Sequence, residues 1–491
     1  MFLTRLFVVL ICLFPIVVYS QQITPHSQNP YYWEYKGSPV LLLGGSSNDN
    51  LFQSYSTSEL NTIKNCGGNY VRNTMSSRDD GNIWPYNKSG NVYNLNSFNS
   101  SYWNKFENFL QECENRNIIV QIEVWATYDY YKSSWDRNPF NPKNNSNYTS
   151  SGSGLPEVVD WEQFSATGPQ PFFKTVPELN NNTTVLKYQQ AFIDKILSYS
   201  LNHQNVLYCI DNETEADPKW GKYWSNYIDS KADSKGKTVH TTEMWDDWNI
   251  TSSSHLNSID HPEVYDFLDV SQNNWYNKDL HQDRIAWVRN RISSNKRPVN
   301  NVKVYGRYRD DNRIAHDHSD GGRDVFWLCV FAGCASARFH RNMPGYPELG
   351  ITTPAQNTIK AVRDVTNALD IFSCSVRNDL LSSRSSGEAF CLANPGSEYA
   401  VYFSDGGNVT LDVSATSSSS TLAIKWYNVG SRSWNSPITK SGGGNFILNC
   451  SGSGKWAVVI TATQGPVDDI PPSAPSGLSI TNEMIETMID F

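Results

Sequence analysis

The pattern that most restricts the fold is an alternation of short apolar runs with amphipathic stretches, which continues from residue 40 to residue 340. Apolar runs bounded by polar turns predict buried strands, and the amphipathic stretches predict helices that connect them. A repeat of roughly 30 residues is typical of parallel strands with crossover helices. Eight such units predict a (β/α)8 TIM barrel of the α/β class in residues 21–378. The predicted strands are 40–45, 69–74, 118–125, 205–213, 237–243, 264–274, 299–306 and 337–340.

The fourth of these strands shows where chemistry is expected. Its apolar residues, 206–210, end abruptly in the polar side chains of Asp211, Asn212 and Glu213. The interior of a TIM barrel is packed, and reactive groups lie at the carboxyl ends of the strands and in the loops that follow them. We therefore expect Asn212 and Glu213 to face a ligand at the mouth of the barrel.

The other predicted strand ends carry polar and aromatic residues that would meet at the same rim. Carboxyl, amide and phenol groups can bond sugar hydroxyls, and aromatic rings can stack on pyranose faces. Trp125, Trp245 and Trp275 would either form such a platform or close the barrel by packing. The amides of residues 272–274 would either bind hydroxyls or cap the next helix. The candidates for this rim are Arg72, Asn73, Glu123, Trp125, His240, Glu243, Gln272, Asn273, Asn274, Tyr305, Arg307, His340 and Arg341.

Composition and charge limit the possible partners. The chain is 13% aromatic and 18% charged, with a formal net charge of −9. Nucleic acids and anionic membranes bind basic surfaces, so neither is an expected partner. Neutral polar ligands that can stack on aromatic faces fit this composition better. No Cys-X-X-Cys or His-X-X-X-His spacing indicates a metal site, and the His- and Asp-containing run from 316 to 322 has no recognisable ligand spacing, so no metal or cofactor is expected.

The first 20 residues predict a secretory signal peptide. Arg5 is followed by an apolar run that is too short to span a bilayer and ends near Ser20. No later stretch resembles a membrane span, so the mature chain is expected to be secreted. In an exported chain the eight cysteines beyond Cys12 permit disulfide bonds, and sequons such as Asn87 and Asn249 predict a glycoprotein.

The pattern changes beyond residue 378. Short strand-like runs are separated by Gly, Ser and Asn turns, which predicts a small antiparallel β-sandwich domain in residues 379–463. Residues 464–491 contain a Pro-rich stretch and are predicted to form an extended linker or tail.

An apolar fourth strand that ends in Asn212-Glu213 resembles the cellulase-type clan of barrel glycoside hydrolases. This resemblance implies that Glu213 is the catalytic acid/base and that Asn212 holds a sugar hydroxyl. The stretches 29–40, 66–72 and 392–402, together with the order of the two domains, resemble apiosidase-like barrels followed by a collagen-binding-type β-sandwich domain. The resemblance covers most of the chain up to about residue 463, and we infer no collagen binding from it.

The clan places its nucleophile, a Glu, at the end of the seventh strand, whereas residues 298–307 contain no carboxylate. Glu243 is the expected second catalytic carboxylate, with Glu123 next. Glu213 would then be a general acid whose pKa is raised by burial and by neighbouring carboxylate charge. Arg72 would either orient a catalytic carboxylate or form an ordinary ion pair, and His340 would either bind ligand or neutralise the rim.

The sequence thus predicts a secreted glycoside hydrolase that cleaves O-glycosidic bonds in a polysaccharide or glycan. The alternative is a non-catalytic carbohydrate-binding or extracellular matrix protein on a degenerate glycosidase barrel.

Overall fold

The computed structural model describes residues 22–160, 170–273, 277–305, 318–342 and 349–463. The predicted signal peptide and tail lie outside the described residues, as do Asn274, Trp275 and Arg307.

Strands and helices alternate along much of the barrel region that the structure describes. Its strands are β1 (Thr24–Pro25), β2 (Trp33–Tyr35), β3 (Ser38–Val40), β4 (Leu42–Gly45), β5 (Tyr70–Thr74), β6 (Tyr86–Ser89), β7 (Val92–Phe98), β8 (Ile119–Ala126), β9 (Val206–Asn212), β10 (Thr241–Thr242), β11 (Leu268–Asp269), β12 (Val299–Asn300) and β13 (Ser336–Phe339). Its helices are α1 (Leu51–Ser54), α2 (Thr57–Asn65), α3 (Ser100–Glu114), α4 (Lys132–Trp135), α5 (Ser150–Ser153), α6 (Thr183–Ser200), α7 (Pro218–Asp233), α8 (Ser253–Ile259), α9 (Lys278–Arg291), α10 (His318–Phe331) and α11 (Thr353–Thr366).

Eight parallel strands form the barrel wall. Six of them form one sheet in the order β10-β9-β8-β5-β4-β13, and β11 pairs with β12. Hydrogen bonds join this pair to both edges of the sheet. Asp266 N donates to Thr241 O (3.0 Å) beside β10, and Ala335 N donates to Val299 O (2.7 Å) beside β13. The predicted (β/α)8 barrel is therefore confirmed.

Strands β5, β8 and β9 are buried along their whole length. Parallel strands covered on both faces are rich in apolar residues, and the apolar runs of β8 and β9 are the clearest in the sequence, whereas β5 ends in the buried polar residues Arg72, Asn73 and Thr74. β4 carries glycines because of a close approach. A Cβ at Gly44 would overlap the carbonyl oxygen of Tyr70 on β5, so no larger residue fits without moving the strand.

The N-terminal sheet of β1, β2 and β3 covers the end of the barrel where the strands begin. Trp33 of β2 is fully buried there; its indole N–H donates to Asn300 Oδ1 (2.9 Å), and its ring lies 5.2 Å from that of Phe267. This end is closed by packing, which leaves the opposite end, where the strands finish, for a ligand.

The C-terminal region is an antiparallel sandwich, as predicted. Its strands are β14 (Ser375–Val376), β15 (Leu381–Ser382), β16 (Ala389–Asn394), β17 (Glu398–Phe403), β18 (Asn408–Asp412), β19 (Thr421–Asn428), β20 (Ser433–Trp434), β21 (Ile438–Ser441), β22 (Asn445–Asn449) and β23 (Trp456–Thr463). The larger sheet runs β14-β16-β17-β23-β19-β20 with β21 beside β19, and the smaller runs β15-β18-β22. The predicted domain boundary at residue 378 stays a prediction.

The sandwich packs on helix α10 of the barrel. The rings of Trp327 and Tyr402 stack at 4.8 Å with their planes 3° apart. Tyr402 donates a hydrogen bond to Asp324 Oδ1 (2.6 Å), and Lys455 forms an ion pair with the same carboxylate (3.0 Å). Apolar residues of β16, β17 and β23 continue the barrel's hydrophobic core across this contact.

The cysteines differ from the expectation. Within the described residues, all eight from Cys66 to Cys450 are buried free thiols, so the predicted disulfide bonds are absent from this structure. They belong to the hydrophobic cores, where a reduced cysteine packs as a small apolar side chain. Among the described helices, none is both long enough and apolar enough to cross a bilayer.

Candidate active site

Glu213 lies at the mouth of the barrel, immediately after β9. Its φ of +57° is in the left-handed region, which a non-glycine residue rarely adopts and which is often found at functional sites. The residue is 8% exposed. Its Oε1 accepts hydrogen bonds from Lys303 Nζ (2.6 Å), Gln272 Nε2 (2.7 Å) and the Tyr305 hydroxyl (3.0 Å). The structure thus brings together three predicted site residues, Glu213, Gln272 and Tyr305, with a lysine that was not predicted.

The charge state of Glu213 is the opposite of the one expected from the sequence. Burial alone would raise its pKa, but the Lys303 ammonium, together with Arg72 and Gln272, lowers the pKa to about 2. Glu213 is therefore a carboxylate at neutral pH, and the expectation of a raised pKa was wrong. The cause is a cation in the segment after the seventh strand, β12, whereas the sequence argument considered only neighbouring carboxylates.

Lys303 follows β12 and has a relative exposure of 1%. Besides Glu213, its ammonium donates to Asn212 Oδ1 (2.5 Å). A lysine inside a run otherwise made of Val, Asn and Tyr was a usable signal in the sequence, because a fully buried lysine requires a partner. Lys303 lies in the stretch 298–307, which contains no carboxylate.

Arg72 connects four elements of the barrel interior. The guanidinium is fully buried and donates to Asp49 Oδ1 (2.5 Å), Glu123 Oε1 (2.5 Å) and Asn212 Oδ1 (2.9 Å). Arg72 is therefore both an interior ion pair and a positioning group for the end of β9. Glu123 is held in this ion pair on β8.

A second cluster forms around Asp49, in the loop after β4. Its carboxylate lies 3.0 Å from Arg341 Nε and 3.4 Å from His340 Nε2, in addition to its bond with Arg72. Burial opposes ionisation, but Arg72, the contact with His340, and Arg341 hold the pKa of Asp49 well below its ordinary value. The His340 ring is 4.6 Å from that of Tyr305, so the cluster adjoins the Glu213 site. Sequence reasoning missed Asp49, which stands in a loop of Gly, Ser and Asn without a distinguishing pattern.

Asn73, Trp125 and Glu243 were predicted for the rim and lie elsewhere. Asn73 is buried, and its Oδ1 accepts from the backbone N–H of Phe52 in α1 (2.8 Å). Trp125 is fully buried, with its ring 5.5–5.9 Å from the rings of Phe172, Trp220 and Trp224. Stacking on sugar needs an accessible ring face, which Trp125 lacks. Trp245 is also buried, bonded to Ser258 Oγ (2.7 Å).

Glu243 forms a buried carboxyl pair with Asp211 in the barrel wall. Glu243 Oε1 accepts from Asp211 N (2.9 Å), and Asp211 Oδ2 accepts from the indole of Trp220 on α7 (2.9 Å). Burial raises the pKa of Asp211 to about 8, and burial together with the Asp211 charge raises that of Glu243 well above its ordinary value. The pair faces α7, since a Cβ on Gly221 of that helix would overlap Glu243 Oε2.

A half-buried carboxyl group near Glu213 was also missed by sequence reasoning. Asp246 follows β10, and its backbone N–H donates to Thr214 O (3.0 Å), which ties this loop to the residue after Glu213. Burial and the charge of Glu213 raise the pKa of Asp246 to about 7, against the opposing effect of Lys303. Tyr128 interacts electrostatically with both carboxyl groups. The mouth of the barrel therefore holds one ionised carboxylate and one carboxyl group that retains its proton up to near neutrality.

Trp248 supplies an exposed aromatic surface in the same loop, two residues after Asp246. Its relative exposure is 44%, and its carbonyl oxygen accepts from Arg284 Nη1 of α9 (3.3 Å). The Arg284 guanidinium lies 5.8 Å from the indole centroid. A partly exposed indole anchored in this way can stack on a ligand that enters the mouth.

The sequence matches no protein-family model and no curated protein. Solved structures do resemble the fold. A glycoside hydrolase family 5 protein from Bacteroides vulgatus superposes with a TM-score of 0.60 at 13% identity, covering 90% of this chain and 93% of its own. A second structure, described as a glycoside hydrolase, gives a TM-score of 0.59 at 12% identity and covers 90% of this chain and 97% of its own. At such identities the similarity establishes a shared fold.

Proposed function

We propose that this chain is a secreted glycoside hydrolase in which Glu213 is the ionised catalytic carboxylate and Asp246 is the proton donor. The observation that carries the proposal is the set of contacts that Glu213 makes with Lys303, Gln272 and Tyr305 at the barrel mouth, where a second carboxyl group, Asp246, is half-buried. Glu213 is held as a carboxylate by its hydrogen bonds, while burial and the Glu213 charge keep a proton on Asp246 up to near pH 7. Two carboxyl groups with separated pKa values are the requirement of glycoside cleavage.

The chemistry follows from these charge states. Asp246 gives its proton to the glycosidic oxygen as the bond from that oxygen to the anomeric carbon breaks. Glu213 either attacks the anomeric carbon or removes a proton from the attacking water. In the first route, water then displaces Glu213 from the anomeric carbon, its hydroxyl stays on the sugar and its other proton returns to Asp246. In the second route, the hydroxyl of the water stays on the sugar, the proton taken by Glu213 passes to solvent, and Asp246 regains a proton from solvent. The similarity in fold to glycoside hydrolases is consistent with this proposal.

The rim favours a neutral sugar. Gln272, Tyr305 and Asn212 provide amide and phenol groups beside Glu213, and Trp248 provides an indole surface. Asn274, which lies outside the described residues, remains a predicted contact. These groups match hydroxyls and the apolar faces of pyranose rings.

One observation favours a second candidate, a carbohydrate-binding protein without catalysis. The stretch 298–307 lacks the carboxylate that the resemblance to the clan implies, and its Lys303 already neutralises Glu213. A site of this kind can bind hydroxyl groups and yet lack the free carboxylate needed for cleavage.

The test is release of reducing sugar from a panel of plant, algal and microbial polysaccharides at pH 5.5. Wild type is compared with Glu213→Gln and Asp246→Asn, and Glu215→Gln, which removes an exposed carboxyl group from the same loop, is the matched control. Loss of activity in the first two variants only would support the proposal. Activity retained by either of them would remove that residue from the mechanism. Glycan binding without hydrolysis by wild type would favour the second candidate.

A further inference from the structure

Lys303 places a full positive charge at the centre of the site, beside only one of the two carboxyl groups. Its ammonium is 2.6 Å from Glu213 Oε1, and its side chain has a relative exposure of 2%. Asp246 experiences this charge only through space. Transfer of a lysine from water to such a position costs several kcal/mol, which the contact with Glu213 and the bond to Asn212 must offset.

Several other charged or titratable groups face Glu213. Arg72 approaches from β5, and Tyr128 and Tyr131 approach from the connection after β8. Asp246 approaches from the connection after β10, and Tyr305 from the segment after β12, two residues beyond Lys303. Arg72 directs its hydrogen bonds to Asp49, Glu123 and Asn212. Among these groups, Lys303 is the cation in direct contact with the Glu213 carboxylate.

We propose that Lys303 is a positioning residue that determines which of the two carboxyl groups carries the proton, by holding Glu213 ionised and leaving the proton on Asp246. The inference rests on the proposed function and deepens it. Without the ammonium, burial would favour a neutral Glu213, and the two carboxyl groups would compete for one proton instead of taking separate roles.

Lys303 also orients the neighbouring amide. Asn212 Oδ1 accepts from both Lys303 and Arg72, so the NH₂ group of Asn212 points away from these two cations. One ammonium thus sets the charge of Glu213 and the direction of the hydrogen-bond donor beside it.

The test compares wild type with Lys303→Met, which keeps the length of the side chain and removes its charge, and with Lys303→Arg, which restores a cation. The ¹³C shift of the Glu213 δ-carbon, assigned by its absence in Glu213→Gln, reports ionisation without any substrate. We expect Glu213 to stay ionised at pH 3.5 in wild type and in Lys303→Arg, and its titration midpoint to rise by more than two pH units in Lys303→Met.

Activity provides the second readout. With a glycan that the enzyme hydrolyses, the acid limb of the pH profile of kcat/KM should shift to higher pH in Lys303→Met, by as much as the Glu213 titration midpoint rises. KM should change less than kcat, and Lys303→Arg should restore the wild-type limb. A purely structural role would lower the melting temperature and leave the limb in place, which would overturn the proposal.

The two hypotheses fail separately. If wild type hydrolyses no glycan, the proposed function fails, while the carbon shift still decides whether Lys303 ionises Glu213. If Lys303→Met does not fold, wild type alone is decisive, because a Glu213 titration midpoint above pH 4.5 overturns the inference.

Discussion

Replacement of Arg72 by methionine should destabilise the protein by about 3–4 kcal/mol at pH 7 and by much less at pH 4.5. Methionine fills a similar volume, so the main loss is electrostatic. Arg72 forms ion pairs with two buried carboxylates, Asp49 and Glu123. In the variant, Asp49 retains other basic partners and Glu123, within the described part of the chain, does not. Asp49 keeps Arg341 at 3.0 Å and His340 at 3.4 Å, whereas among the described residues Glu123 has its ion pair with Arg72 alone.

The magnitude follows from the burial of Glu123, which has no exposed surface. In the variant this carboxyl group folds most favourably in its protonated form. Keeping a carboxyl group of ordinary pKa, about 4.3, protonated at pH 7 costs about 3.5 kcal/mol, and near pH 4.5 the same step costs well under 1 kcal/mol. The sign is that of a group with a raised pKa in the folded state: stability is lost as pH rises above the pKa of the unfolded chain.

The assay is urea unfolding at pH 4.5 and pH 7.0 for wild type, Arg72→Met, Glu123→Gln and the double variant. Glu123→Gln removes the charge that Arg72→Met leaves unpaired, so the double variant should regain most of the stability lost at pH 7. An equal loss at both pH values, or a double variant no more stable than Arg72→Met, would show that the guanidinium acts by packing and would refute the reasoning.

Three further predictions follow from the site and its wall. Gly221→Ala should destabilise the protein by about 1–2 kcal/mol in urea unfolding, because the new methyl group overlaps the Glu243 carboxyl and lies 2.7 Å from the Tyr265 hydroxyl. This overlap outweighs the gain in helix propensity of about 1 kcal/mol, and a variant more stable than wild type would contradict it. Trp248→Ala should raise KM for a polymeric substrate about ten-fold with kcat nearly unchanged, through loss of roughly 1.4 kcal/mol of stacking, and an unchanged KM would exclude a sugar contact. Measured across pH, kcat/KM should fall above about pH 7 as Asp246 loses its proton, and a rate that still rises at pH 9 would exclude Asp246 as the donor.

The strands of the first half of the barrel could be located from sequence, and those of the second half only roughly. The predicted strands 69–74 and 118–125 nearly coincide with β5 and β8, and in β8 a largely apolar run marks the strand, as expected for a parallel strand covered on both faces. The strands predicted at 237–243 and 299–306 shorten to two residues each in β10 and β12. Side chains replace some ladder bonds there: Ser271 Oγ accepts from Val302 N (2.8 Å), for example. Such bonds between distant residues have no local signature in the sequence.

It was harder to predict which side of the barrel wall a side chain at a strand end would face than to locate the strands. Strict alternation would place Glu123 and Trp125 on the same face, yet Glu123 lies in the interior while Trp125 joins Val124 in the cluster outside the wall. The alternation of inward and outward side chains is interrupted at the same level of β9. There Asp211, which lies opposite Trp125 in the strand register, accepts a hydrogen bond from Trp220 of α7. Because of this interruption, the side chain of Asn212 points into the barrel interior, where it contacts Arg72 and Lys303.

The sequence by itself determined the barrel, the sandwich and the position of Glu213 at a strand end, because apolar periodicity and turn residues act over a few neighbouring positions. The tertiary structure decided the charge of Glu213 and the identity of its partners. Lys303 is 90 residues away along the chain and 2.6 Å away in space. Coulombic and hydrogen-bond energies depend on distances between atoms and on exclusion of water, and the fold sets both only when the segment after the seventh strand meets the end of the fourth strand.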